Sequence, residues 1–144
     1  MLILVSPAFG MQKADSLRIE LPAPGGPYAV GRESFHWTDR SRKEGLTDDP
    51  GDYRDLMVHI WYPAEPVAHA VAYPYIPNLE LLKRGLDNSQ YSILSSVRAH
   101  TLAHAKLLSA RERHPVLIFS HGNQMSSFLY TAIIEDLASH GYIV

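Results

Sequence analysis

Pro115-Val116-Leu117-Ile118-Phe119-Ser120-His121-Gly122-Asn123-Gln124 is the stretch on which the fold turns. Pro115 to Ser120 is a short, continuous apolar run, which fits a strand buried on both faces, the signature of a parallel sheet. His121 to Gln124 reads as a turn. Ser126 or Ser127 is placed to cap a helix with apolar positions Phe128, Leu129, Ile133, Ile134 and Leu137. His140 falls in its last turn and Gly141 at the C′ position. Tyr142-Ile143-Val144 opens another β-rich run. Strand, turn, helix and strand make a βαβ unit, so the fold class is α/β.

Upstream, Asp55 to Tyr62 alternates, with Leu56, Val58, Ile60 and Tyr62 on one side and Met57, His59 and Trp61 on the other. This predicts a strand that Pro63 ends. Tyr28 to Trp37 reads as a second strand, with Gly31 marking a bulge or a close backbone approach. Thr38 to Tyr53 is polar and rich in Asp, Gly and Pro, and is expected to be a loop. Two strands joined by a long loop give an antiparallel start to the sheet. The breaker cluster Pro22 to Pro27 separates an N-terminal arm (residues 1–26) from the domain proper (residues 27–144). Pro74 and Pro77 flank an extended piece. Leu79 to Leu86 predicts a short helix ending near Gly85, and Ser89 to Leu108 predicts one or two helices covering the sheet. The last strand begins three residues before the chain ends, short of the usual five or six, and the chain is expected to be the first part of a larger α/β domain.

Composition narrows the function. The 144 residues suit one domain, and 46% hydrophobic content is ordinary for a globular chain. With 19% charged residues and a net charge of −2, there is no electrostatic footprint for nucleic acid. Cysteine is absent, which excludes disulfides, a thiol nucleophile and thiolate metal sites. No apolar run approaches the ~20 residues of a membrane span. Met1 to Val5 followed by Ala8-Phe9-Gly10 resembles the tail of an export signal without its basic start, which leans toward a periplasmic or extracellular location. The alternative is a plain edge-strand or unstructured N-terminus.

A nucleophile elbow, G-x-S-x-G, is absent: no two glycines lie four apart and no serine lies two after a glycine. The P-loop, G-x-G-x-x-G and H-E-x-x-H are absent too. His100 and His104 would share a helix face, but neither His69 nor His114 has a spacing that makes it a third metal ligand, so ordinary hydrogen bonding is the better reading. Ser120 and His121 suggest a nucleophile and base, yet adjacent residues at a strand end point different ways. Asp136 reads as a solvated helix residue rather than a catalytic acid. Phe35, Trp37, Trp61 and Tyr62 read as core and sheet-face residues ahead of a binding stripe. The turn after Ser120 is different, because backbone N–H groups there point out of the sheet's carboxyl edge. Such a donor, aimed at a developing oxyanion, is worth roughly 3–4 kcal/mol of barrier. An ordinary αL turn before a helix explains the same letters equally well.

Pro115 to Gly122, followed by Asp136 to Val144, resembles the platelet-activating-factor acetylhydrolase family, plasma/type II branch, within the α/β-hydrolase superfamily. Gly31-Arg32 with Phe35 to Asp39, and Leu56 to Ala64, resemble that family's first and second strands. The likeness runs from about Pro27 to the end. It implies an α/β-hydrolase fold with an antiparallel start and then parallel strands with helices, and a serine esterase acting on phospholipid or simpler carboxylic esters without metal or organic cofactor. It implies that the Asn123 backbone N–H is an oxyanion donor, presented by a turn that His121 and Gly122 build. Asn123-Gln124 departs from the apolar residue and glycine usual there. The resemblance also puts the Ser-His-Asp triad beyond residue 144. The chain is therefore expected to be the front of an esterase that is inactive by itself, with transient membrane-surface contact in action. The competing expectation is a non-catalytic binding or accessory module that covers its strand edges by self-association.

Overall fold

The computed structural model describes residues 17–109 and 113–144. The export-signal reading of Met1 to Gly10 lies outside the described residues. A long antiparallel hairpin forms the centre, made of β2 (Ala29–Lys43) and β3 (Tyr53–Ala64). β1 (Ile19–Glu20) precedes it. Alternation sorts the hairpin into two faces. Val30, Arg32 and Ser34 stand with Pro63, Trp61 and His59 on one, and Gly31, Glu33 and Phe35 with Tyr62, Ile60 and Val58 on the other. Gly31 is a close approach, since a β-carbon there would overlap the Tyr62 ring. That ring is fixed by its hydroxyl, which donates to the Ala105 carbonyl at 2.7 Å.

The hairpin corrects two expectations. Thr38 to Lys43 is not loop but strand, leaving only residues 44–52 as the connection. Polar residues pair across the ladder there, as where the Thr38 hydroxyl donates to Asp55 Oδ1 at 2.8 Å, and composition alone does not distinguish such pairs from a loop. The register irregularity falls between Asp39 and Lys43 rather than at Gly31. Pro63 does not end β3 either, because it sits opposite Val30 inside the ladder. Its carbonyl accepts from Leu108 N–H at 2.9 Å, on the side away from β2, so the missing proline N–H removes no bond to β2.

The sheet grows on both sides. β5 (Leu102–Ala103) pairs parallel with β2 at Gly31 and Arg32. On the far side Trp61 and Val144 exchange two backbone bonds of 2.9 Å. Val116 then bridges Ile143 in parallel, with Leu117 N–H donating to Ile143 at 2.8 Å and Ile143 N–H to Pro115 at 2.9 Å. A 3-10 turn (Ser127–Tyr130) and α3 (Thr131–Ser139) connect these two segments. The βαβ unit with an antiparallel start is therefore present. Its first strand, however, is not buried on both faces: Val116 is 67% and Ile118 97% exposed. Among the described residues it holds only the Ile143 edge.

The helical expectation for Ser89 to Leu108 holds only in its first part. α1 (Leu79–Leu82) continues into a 3-10 turn to Gly85, and α2 (Asn88–Ser96) begins at a capping box of Asp87 and Gln90. After Ser96 the chain is extended: β4 (Val97–Arg98) pairs parallel with β1, and β5 follows. The free edges of β1 and β2 provide backbone partners that a helix would forgo.

α3 covers the Val30 face, where Val30, Trp61, Ile134 and Ala138 form one core cluster. Tyr62, Ala64 and Ala105 form a second on the opposite face. The buried stripe of α3 is Thr131, Ile134, Glu135, Ala138 and Ser139, whereas Leu129 and Ile133 point to solvent, against the expected apolar face. Ser126 holds the cap position but makes no side-chain cap bond. Gly141 follows the helix at φ 102°, a left-handed position that suits glycine. The proline-glycine segment before β2 docks on the helix end: Gly25 N–H donates to Asp136 Oδ1 at 2.7 Å and Gly26 N–H to Ser139 Oγ at 2.9 Å.

Candidate active site

The turn at His121 to Gln124 leaves the carboxyl end of the Val116 segment. Met125 N–H closes it onto the Gly122 carbonyl at 3.1 Å, and Gln124 adopts φ 61°. All four turn residues are exposed. Among the described residues the Asn123 N–H makes no hydrogen bond. A β-carbon on Gly122 would meet Met125 and the Tyr130 hydroxyl at 3.6 and 3.7 Å, ordinary contact distances, so packing alone does not demand glycine there. Beside the turn lies a largely apolar cavity of about 890 Å³, with Trp61, Phe119, Ser120, His121, Met125 and Ile134 in its walls; of the four turn residues His121 alone lines it. The Phe119 and Tyr130 rings meet at a tilt of 57° beside it, 4.9 Å between centres. An exposed backbone donor beside an apolar cavity can stabilise a developing oxyanion while the wall holds an acyl chain.

The adjacent Ser120 and His121 form no nucleophile–base pair, since His121 Nδ1 donates to the Gly122 carbonyl at 3.0 Å. His100 and His104 share no helix face. His100 Nε2 donates to the Leu21 carbonyl at 2.8 Å, and His104 stands at φ 52° facing Glu33 at 3.8 Å. His69 sits at φ 57°, and the His114 ring lies between the carbonyls of Gly141 and Leu108. Among the described residues no group of three His, Asp or Glu side chains is placed to hold a metal. Asp136 accepts from Gly25 at the half-exposed helix end and does not line this cavity. Trp61 and Tyr62 are buried, while Phe35 and Trp37 remain 41% and 50% exposed.

Sequence reasoning missed a polar group behind the turn. Arg32 is 2% exposed, with its guanidinium 4.3 Å from the Trp61 ring centre and 5.0 Å from that of Tyr73. Burial lowers its pKa to about 10, an effect that Tyr73 and Glu135 partly oppose, so it stays charged at neutral pH. Glu135, fully buried on α3, accepts from the His100 N–H at 2.9 Å and the Thr101 N–H at 2.6 Å, and also from the Thr101 hydroxyl. Next to Arg32 on its strand face, Ser34 Oγ bonds His59 Nδ1 at 2.8 Å and lies 3.1 Å from the Tyr73 hydroxyl. Burial, and then the Arg32 charge, hold the His59 pKa down at about 4. The i, i+2 spacing of Arg32 and Ser34 on a strand was the available signal.

A ferulic acid esterase from Streptomyces cinnamoneus superposes with a TM-score of 0.72 and 36% identity, covering 88% of this chain and 35% of its own. The likeness supports an α/β-hydrolase-like fold. A probable 1-alkyl-2-acetylglycerophosphocholine esterase of Arthroderma benhamiae is 28% identical over 86% of this chain, and the platelet-activating factor acetylhydrolase of Bos taurus is 28% identical over 80%. The chain spans 35% and 28% of the length of those two proteins. The family model of platelet-activating factor acetylhydrolase, isoform II, matches residues 13–144. By this match the chain belongs to the platelet-activating factor acetylhydrolase isoform II family.

Proposed function

We propose that this chain forms the oxyanion-turn side of a serine carboxylic-ester hydrolase. The observation that carries the reading is the exposed His121–Gln124 turn, whose His121 lines the apolar cavity of about 890 Å³. The Asn123 N–H would donate to the carbonyl oxygen as it becomes an oxyanion, with His121 and Gly122 holding the turn. The cavity wall would take the acyl or alkyl part of a small ester or a phospholipid ester. A Ser-His-Asp triad contributed from beyond residue 144 would complete the site, with acyl transfer to serine followed by hydrolysis by water. In this reading the 144 residues by themselves hydrolyse nothing.

The test replaces the donor. Asn123→Pro in the full-length enzyme removes the backbone N–H and leaves the cavity intact. Loss of an oxyanion donor lowers kcat by roughly 10²–10³ with KM little changed. An unchanged kcat in a folded Asn123→Pro enzyme refutes the assignment. Labelling the protein from its native source with a serine-reactive fluorophosphonate, then measuring its intact mass, tests the rest. A labelled species well above 16.1 kDa whose peptides include His121 supports it. An unlabelled species of that mass points instead to a binding or accessory module.

A further inference from the structure

A second cavity, of about 540 Å³, opens beside the first. Arg32, Ser34, His59 and Tyr73 line it, and Met57, His59, Ser126 and Ser127 are common to both cavities. Its most unusual member is Arg32. The side chain is 2% exposed, yet its Nε and Nη2 have no hydrogen-bond partner among the described residues. Glu135 Oε2 is likewise unpartnered, so neither of these atoms closes on the other. A buried guanidinium with free donors is unfavourable unless an anion completes it. Its fork of donors matches a carboxylate or phosphate, and the flanking Trp61 and Tyr73 rings hold the plane in one orientation. The hydroxyls of Ser34 and Tyr73, 3.1 Å apart, are bonded to each other, so with His59 Nδ1 donating to Ser34 the pair presents one further donor on the same side.

We propose that Arg32, Ser34 and Tyr73 form an anion subsite that receives a carboxylate or phosphate group carried by the ester substrate. The inference rests on the ester-hydrolase reading for the identity of the substrate, but not for the anion binding itself. Because the two cavities share walls, an anion at Arg32 stands next to the apolar cavity beside the turn. The substrate class is then an ester bearing a negatively charged group a short distance from the scissile bond, rather than a neutral ester.

The experiment titrates the full-length protein with inorganic phosphate and, separately, with acetate. Calorimetry follows the binding, and so does fluorescence of Trp61, which stacks on the guanidinium. The expected result is saturable binding of at least one anion, the preferred one separating a phosphate from a carboxylate group. Arg32→Met should weaken it roughly tenfold or more, the loss that follows removal of a charged hydrogen-bond donor. If Arg32→Met does not fold, Tyr73→Phe and Ser34→Ala decide, each with a loss of about threefold, since either change removes the one neutral donor that the bonded pair presents. Absence of saturable binding by either anion, or binding unaltered in every variant that folds, overturns the proposal. Hydrolysis of a neutral short-chain ester, measured in parallel, separates the two readings. Turnover without anion binding defeats only the subsite, and anion binding without turnover defeats only the esterase.

Discussion

Replacing Glu135 on α3 by alanine should be among the most damaging single changes in the chain. The side chain is fully buried and its Oε1 accepts from two backbone N–H groups, of His100 and Thr101, and from the Thr101 hydroxyl. The hydroxyl can rotate to another acceptor, but the two N–H groups cannot. A stranded buried donor costs about 1–3 kcal/mol, so the buried Thr101 N–H and the part-buried His100 N–H together give roughly 2–5 kcal/mol. Water entering the emptied space relieves part of this, and the loss of a neighbour for the Arg32 charge adds to it. The expected destabilisation is therefore about 3–5 kcal/mol, the range found when one member of a buried polar pair is removed. Glu135→Gln keeps an oxygen for the N–H groups and should cost about 1–2 kcal/mol. Urea unfolding followed by tryptophan fluorescence measures both, since Trp61 is buried in the cluster that α3 covers. With a slope of about 1–3 kcal/mol per molar urea, the alanine variant should shift the midpoint by more than about 1 M, or be unfolded in water. An alanine variant within about 1 kcal/mol of the parent, with the same slope, refutes the account. A glutamine variant as unstable as the alanine one shows that charge, not the acceptor oxygen, holds the crossing.

Gly31→Ala forces a β-carbon into the Tyr62 ring and should cost about 1–3 kcal/mol by overpacking, read as a lowered urea midpoint; an unchanged midpoint would show that the ring moves freely despite its bond to Ala105. Gly141→Ala, at φ 102°, should cost about 1 kcal/mol or more through backbone strain, and a neutral or stabilising effect in the same assay argues against it. Stability should also fall in mild acid. His59 is held at about 4 in the fold against 6.5 normally, first by burial and second by the Arg32 charge, so between those values the unfolded chain takes up a proton that the native state refuses. The contribution is full above the unfolded value and is lost as pH falls toward the folded one. His59→Gln should flatten the decline in urea midpoint across that window, whereas a slope identical to the parent's excludes His59 as its source.

Much of the scaffold was legible because it follows period and punctuation. Alternation from Leu56 to Tyr62 assigned both faces of β3, and Gly141 marked the end of α3. The misreadings share a physical origin in tertiary pairing. Thr38 to Lys43 looks like a loop until Asp55 and its neighbours lie opposite it. Val97 to Ala103 carries helical spacing, but sheet edges with free backbone groups are nearby. Pro63 reads as a stop because the strand beyond it, which leaves the proline nitrogen unneeded by β2, is distant in sequence. The turn at His121 to Gln124 is legible as a turn from strand-to-helix punctuation. The Arg32 cluster is not, because an arginine in a strand as polar as β2 reads as solvated and does not announce that Trp61, Tyr73 and Glu135 will surround it.

The clamp of Gly25 and Gly26 on the end of α3 has a consequence for how the chain is made. Its bonds join residues 111 and 113 positions apart. A ribosome adding about 5–20 residues per second takes on the order of ten seconds to bring the two ends of the clamp into existence together. Throughout that interval the segment before β2 has no helix to grip, and the hairpin's Val30 face lacks the cover that Ile134 and Ala138 give it. Closure is thus a long-range event, slow by the entropy of the loop it shuts and exposed to misassociation while it waits.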